Sequence, residues 1–269
     1  MRLRASEARE REPALAPTVR LALEAPDDHS VDPRRVMAAL RRACELEGVL
    51  IREHTHVHAL ELEPNTKRVV GVRVSRQWGG AMEAGGVCDG GVLEDGACES
   101  IYARDVVVAM GAWSGGLGGL PEGAGVPVRP VKGQIMRLRD PAGPGLLQRV
   151  VRFDGGYLVP RGDGHYVLGA TVEERGFEPQ ATAGGVYELL RDGHELVPGI
   201  SELRIEELGV GYRPGTPDNA PMIGSGALKG LMWATGHYRN GILLAPLTAE
   251  LVTRSLLGHK TRHEPISSS

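Results

Sequence analysis

The chain has 269 residues, 41% of them hydrophobic and 24% charged, with a net charge of -3. That length suits one large domain or two medium ones, each able to bury a core. No long block of like charge offers the clustered Lys and Arg that nucleic-acid binding needs, and the longest apolar runs, Val106–Met110 and Ile242–Leu247, are too short to span a bilayer.

Charges alternate through Met1–Glu12 with no apolar signal core, so a cytoplasmic protein without nucleic-acid or membrane partners is expected. Cys44, Cys88 and Cys98 are odd in number and show no CxxC spacing, which argues against a disulfide framework and a zinc site.

In chain order, Asp32-Pro33 opens the first predicted helix, with Asp at the N-cap and Pro at the first helical position. Val36, Met37, Leu40 and Cys44 fall on one face, and Gly48 supplies the stop. Val49–Glu53, His54–Glu63 and Val69–Ser75 read as strands, and residues 77–98, rich in Gly and polar side chains, as an extended loop or hairpin tip. Asp105–Met110 is an apolar strand that turns tightly through Gly111–Ser114 into a helix. Being apolar on both sides, it suits the middle of a sheet covered on both faces.

From Val126 the character shifts. Val128–Leu138, Val150–Phe153, Gly156–Pro160, Tyr166–Ala170 and Glu202–Tyr212 read as strands of an antiparallel sheet, interrupted by a helix over Gly185–Leu196. Leu228–Ala234 is a further strand, and Gly241–Leu257 is the closing helix. The order α/β, mostly β, then α/β again predicts two domains, with the chain leaving the first and returning to it.

Two arginines stand in stiff, glycine-bearing contexts: Arg213 in Gly211–Asp218 and Arg239 in Gly236–Gly241. In each case a strand is expected to end just before the Arg. A guanidinium fork there can bind a carboxylate through two parallel hydrogen bonds, and a structural ion pair is the alternative. Gly241 opens a helix whose first amides and positive dipole end can stabilise an anion.

The stretch Gly236–Pro246 (GHYRNGILLAP) resembles the flavin-contacting segment of glycine oxidases in the D-amino-acid oxidase superfamily. Arg213–Asp218 with Pro221–Gly224 is similar to that superfamily's substrate-arginine segment, and Val106–Ser114 to its strand–turn–helix beside the cofactor. Pro130–Gln134, Tyr157–Arg161 and Val167–Thr171 resemble its substrate-domain strands. Ordered matches run from about residue 6 to 258, and the most specific of them favours the glycine oxidase branch linked to thiamine biosynthesis.

The resemblance implies an α/β, mixed α+β fold. An incomplete FAD-binding Rossmann-like domain would take 31–127 and 223–269, and a substrate-binding domain with a large antiparallel sheet would take 1–30 and 128–222. It implies that Arg213 and Arg239 hold the carboxylate of a small amino-acid or amine substrate. Tyr157 would lie over the site, and Val172 at a pocket position where larger side chains occur in the family. His237, Tyr238, Arg239, Asn240, Gly241, Ile242 and Leu243 would line the flavin ring. Gly111 and Trp113 would stand beside the cofactor, and Val57 at the adenine end. FAD would be non-covalent, because the flavin-linking cysteine of sarcosine oxidases has no counterpart here. The implied reaction transfers hydride from the substrate α-carbon to flavin N5 to give an imine, and oxygen then reoxidises the flavin to give peroxide. Orientation and electrostatics supply most of the catalysis.

The family's chain begins with a strand, a Gly-x-Gly-x-x-Gly turn and a helix that grips the FAD pyrophosphate. No such spacing occurs here; the cluster Gly115-Gly116-Leu117-Gly118-Gly119 is spaced differently and follows another strand. The readings are a fragment of a longer reading frame, a shortened gene model, a decaying gene, or a split enzyme whose N-terminal half is a separate chain. FAD binding by this chain alone is then expected to be weak or absent, and a homo-oligomer stays open. A D-amino-acid or sarcosine dehydrogenase, or a non-catalytic carboxylate-binding subunit, are the alternatives in function. His54, His56 and His58 alternate as if on one strand face and could hold a metal, but a polar strand face is the plainer reading, and no metal is expected. Asp218 and His237 invite misreading as an acid–base pair, yet no Gly-x-Ser-x-Gly supports a hydrolase.

Overall fold

A computed structural model describes residues 1–76 and 98–258. Cys88 and the expected loop over 77–98, save Cys98, lie outside the described residues.

The elements, in order, begin with β1 (Arg2–Arg4), α1 (Ala5–Arg11), β2 (Leu21–Leu23), α2 (Pro33–Leu46), β3 (Thr55–Leu62) and β4 (Val69–Arg76). Then come β5 (Glu99–Tyr102), β6 (Val106–Val108), a 3-10 turn (Gly111–Gly116), β7 (Arg129–Arg139), β8 (Val151–Phe153), β9 (Gly156–Pro160) and β10 (His165–Gly169). The chain closes with α3 (Ala183–Leu196), a 3-10 turn (Pro198–Glu202), β11 (Arg204–Gly215), β12 (Met222–Ser225), β13 (Leu231–Thr235) and α4 (Gly241–Leu256).

The chain forms two compact units: Met1–Glu47 with Lys132–Tyr212, and Gly48–Val131 with the chain from Arg213 on. Each unit takes two separate stretches of the chain, with borders after Glu47, Val131 and Tyr212. Residues 31–47 join the first unit because the start of α2 is tied there: Arg34 Nη2 donates to both Glu207 oxygens at 2.6 and 2.9 Å, and Arg161 Nη1 donates to the Val31 carbonyl at 3.0 Å. Residues 213–222 join the second, through contacts described below.

In the first unit, β11-β7-β10-β9-β8 form one sheet, with β10 antiparallel to both β7 and β9. Register sets Leu168 opposite Met136 and Leu158, and Tyr166 opposite Leu138, so side chains two apart share one face. That face is the core, in one buried cluster with Leu189, Val197, Ile200, Leu3, Ala8 and Leu15. Gly193 lets α3 approach closely, since a Cβ there would stand 2.7 Å from Ile200 Cδ1.

In the second unit, β12-β13-β6 form a three-stranded sheet, and β3-β4-β5 form another, antiparallel throughout. Leu60, Val69, Val108, Leu117, Leu231 and Trp233 belong to the core of this unit. Here β6 is an edge strand among the described residues, not the central strand that its apolar character predicts. Val49–Ile51 form no strand despite their β-type sequence and are exposed, and no described strand pairs with them. Likewise α2 starts at the expected cap, with Asp32 accepting from the Arg34 and Arg35 amides, but buries none of its residues. His54, at φ +52, precedes β3, so the three histidines do not share one strand face. No described helix is long and apolar enough to cross a membrane.

Leu168 is fully buried in the centre of the first core. Leu168→Ala is expected to lower the unfolding free energy by about 2–5 kcal/mol, read as a fall in the urea midpoint at unchanged slope.

Candidate functional site

In the second unit the two arginine segments are brought together by backbone. After β13 the chain turns through Gly236 (φ +78) and Tyr238 (φ +48), and the Tyr238 amide donates to the Pro214 carbonyl at 3.1 Å. A Cβ on Gly236 would lie 2.7 Å from Thr216 Cγ2 and 3.3 Å from the Met222 amide nitrogen, so the turn sits directly on the 214–222 segment. That segment is itself pinned. Buried Thr216 donates from Oγ1 to the Ala220 carbonyl at 2.9 Å, and Asp218 Oδ1 accepts from the Ala220 amide at 3.0 Å. The Ala220 amide holds the Asp218 carboxyl below its ordinary pKa.

The strand before Arg213 does not end where the sequence suggests. β11 runs on to Gly215, since a Pro at position 214 is tolerated in a strand at the sheet edge. Arg213 is half-buried, whereas Arg239 is exposed and forms no ion pair with the described residues.

His237 Nε2 lies 2.8 Å from Thr248 Oγ1, which itself donates to the Leu244 carbonyl at 2.9 Å. Thr248 therefore accepts, and the His237 proton sits on Nε2. Burial lowers the His237 pKa, which disfavours the charged ring. Asp218 and His237 are thus each engaged with other groups and are not an acid–base pair. The Asn240 side chain makes no cap hydrogen bond, and Gly241, Ile242 and Leu243 are exposed, so the first amides of α4 form an open, positively polarised end.

Gly111, at φ +55, opens the turn after β6, and two buried hydroxyls tie it to the end of β13. Ser114 Oγ donates to Thr235 Oγ1 at 2.9 Å, and Thr235 Oγ1 donates to the Gly111 carbonyl at 3.0 Å. Gly111, Trp113 and the 236–241 turn are therefore joined through the β6 and β13 ends. Val57 stands apart on β3, packed against the core of the unit.

The first unit holds Tyr157 and Val172. Tyr157 pairs with Gly169 across β9 and β10, and its ring lies so close over that residue that a Cβ at 169 would come within 2.9 Å of the hydroxyl. Val172, 53% exposed, is flanked by residues locked into a polar network. Lys132 and Glu173 exchange backbone hydrogen bonds at 2.9 Å, and Gln134 N donates to Thr171 Oγ1 at 2.9 Å. Gln134 Nε2 donates to Glu173 Oε1 at 2.7 Å. Fully buried Lys132 donates from Nζ to the Gln180 carbonyl at 2.7 Å and to Glu178 at 3.2 Å. Resemblance places Lys132, Gln134 and Thr171 on substrate-domain strands but does not show this network. The signal for them was the pair Lys132 and Gln134 in an otherwise apolar strand, which must find polar partners if buried.

The FAD dependent oxidoreductase family model matches residues 1–255, and the chain belongs to that family. It is 41% identical over 238 residues to a bifunctional protein ThiO/ThiG of Synechocystis, covering 87% of this chain and 32% of that one. It is 32% identical over 246 residues to a glycine oxidase of Bacillus licheniformis, covering 90% and 58%. The crystal structure of glycine oxidase from Geobacillus kaustophilus superposes with a TM-score of 0.81 at 32% identity, covering 98% of this chain and 64% of that one. The chain thus spans less than two thirds of the length of these relatives.

Burial raises the Glu173 pKa, but hydrogen bonds from Thr171 and Gln134 with the charges of Lys132 and Arg175 outweigh it, so the group lies below its ordinary value. Its stabilisation is complete above the ordinary glutamate range, about pH 4.3, and is lost as pH falls through the lower folded value. Glu173→Gln is expected to be less stable than the parent at neutral pH and to lose less stability on acidification, measured by urea unfolding between about pH 3 and 7.

Proposed function

We propose that this chain supplies the substrate-carboxylate and flavin-ring contacts of an amino-acid oxidase acting on glycine or a small amine or D-amino acid. The observation that carries this reading is the Tyr238 amide to Pro214 carbonyl hydrogen bond, which joins the Arg213 and Arg239 segments beside the open end of α4.

The residues suit the ring end of FAD. Gly241, Ile242 and Leu243 are exposed at an uncapped helix start, where amides favour an anionic ring edge. Gly111 and Trp113 would flank the cofactor, and Val57 would meet its adenine end. When bound, FAD would supply the two-electron acceptor for the substrate α-carbon. The chain's own contribution is orientation: Arg213 and Arg239 hold the carboxylate, and the family resemblance gives Tyr157 a place over the substrate and Val172 a pocket position where larger side chains occur in the family. Asp218 and His237, engaged by Ala220 and Thr248, do not carry the proton transfer. The imine then hydrolyses or enters thiazole synthesis, a place supported by the ThiO/ThiG name of the Synechocystis relative.

No Gly-x-Gly-x-x-Gly occurs in the chain, so the pyrophosphate grip would come from the share of the relatives that it does not cover, in the same polypeptide or in a separate one. FAD binding by residues 1–269 alone would accordingly be weak.

With that share supplied, peroxide release from glycine, sarcosine and D-alanine tests the reading. Arg213→Leu is expected to lower kcat/KM by about 100-fold or more, the scale of an unpaired carboxylate, with partial recovery in Arg213→Lys. Unchanged kcat/KM in both Arg213→Leu and Arg239→Leu, or no peroxide from any of the three substrates, would overturn it.

A further inference from the structure

The alternation that sends Leu138 and Tyr166 into the core of the first unit sends Arg137 and His165 to the opposite face of the sheet. Arg161, whose amide donates to the His165 carbonyl at 2.9 Å, shares that face. The start of α2 closes over it: Arg161 Nη1 donates to the Val31 carbonyl at 3.0 Å, and Arg34 grips Glu207. Between them lies a cavity of about 490 Å³ lined by Arg34, Arg35, Arg137 and Arg161, with all of its lining in the first unit. That volume falls in the range of small-molecule sites.

Four carboxylates also line the cavity, and three are engaged. Glu207 takes Arg34 and, at 3.4 Å, Arg137 Nε. Asp32 caps α2, and Asp163 accepts from the His165 amide at 3.1 Å. Glu206 stands 3.4 Å from His165 Nε2. The cations are less well matched. Among the described residues Arg35 makes no ion pair, and the acceptor for Arg161 is the neutral Val31 carbonyl. The Nε atoms of Arg137 and Arg161 are buried and hydrogen-bond to no described group, a state shared in the described residues by Arg73 Nε alone. A buried donor without an acceptor is costly, and here two converge on one cavity.

We propose that this cavity binds the oxyanion of a small molecule, a carboxylate or a phosphate group, between the guanidiniums of Arg35, Arg137 and Arg161. Guanidinium forks take such groups through parallel hydrogen bonds, and with three of the four carboxylates engaged, the unspent charge of the lining is positive. The site goes beyond the functional reading and does not depend on it. Arg213 and Arg239 belong to the second unit. Tyr157 shares the sheet face but stands four residues before Arg161, roughly 13 Å at the usual strand rise, and is not part of the lining.

Calorimetric titration of the chain with inorganic phosphate and, separately, with succinate tests the site without flavin or amino acid. One equivalent of at least one probe is expected to bind with a Kd of about 1 mM or tighter, and the tighter of the two tells whether phosphate or carboxylate is preferred. Arg161→Met should weaken binding about tenfold or more, the scale of a lost charge-assisted hydrogen bond. Glu206→Gln, which removes a negative charge from the lining, should tighten it roughly two- to fivefold. If Arg161→Met melts early, Arg35→Met takes its place, since Arg35 holds no other described group, and should weaken binding in the same direction. Binding of neither probe, affinity unchanged in both arginine variants, or weaker binding in Glu206→Gln would overturn the proposal.

Discussion

The contact on which the site depends is the seating of the Gly236–Gly241 turn on the 214–222 segment. Gly236 leaves no room for a side chain against Thr216, and Tyr238, held at positive φ, returns its amide to Pro214. Without that seat, Arg213 and Arg239 would belong to two independent loops. With it, their segments share one backbone frame, and the start of α4 follows within a few residues. The internal bonds of Thr216 and Asp218 stiffen the lower half of the frame, and the His237–Thr248 pair anchors the upper half to α4.

In the other unit, a polar network frames the stretch around Val172. Val172 has little to fix it by packing, but its neighbours Thr171 and Glu173 are stitched to Gln134 and Lys132. Fully buried Lys132 is costly unless its ammonium is satisfied, and Gln180 and Glu178 meet it. The network therefore defines one placement for this stretch in a way that an apolar contact would not.

Where local chemistry decided the structure, the sequence was readable. Asp32-Pro33 capped α2 as expected, and α4 began at Gly241. The strands from 129 to 215 were found nearly in place because alternation and apolar runs reported their burial. Short elements escaped: β1, β5 and β12 have at most four residues, too few to establish a period, and α1 buries only Ala8, so it shows no stripe. Val49–Ile51 show the converse, a β-type run that no described strand joins. The site was legible as two arginine contexts and one family segment. Its assembly was not, because the Tyr238–Pro214 bond and the Gly236–Thr216 contact join residues that no local pattern connects. β6 read as a central strand and is an edge; its composition describes a neighbour on each side, and the described residues supply one.

The most direct test of the shared frame is a double-mutant cycle in urea between Gly236→Ala and Thr216→Ser. If the turn is seated on Thr216 Cγ2, the alanine destabilises the chain and the serine, which deletes that methyl, restores part of the loss, with a coupling of about 0.5–3 kcal/mol. Additive effects, with the alanine costing no more than the roughly 1 kcal/mol of a side chain forced to positive φ, would contradict the account.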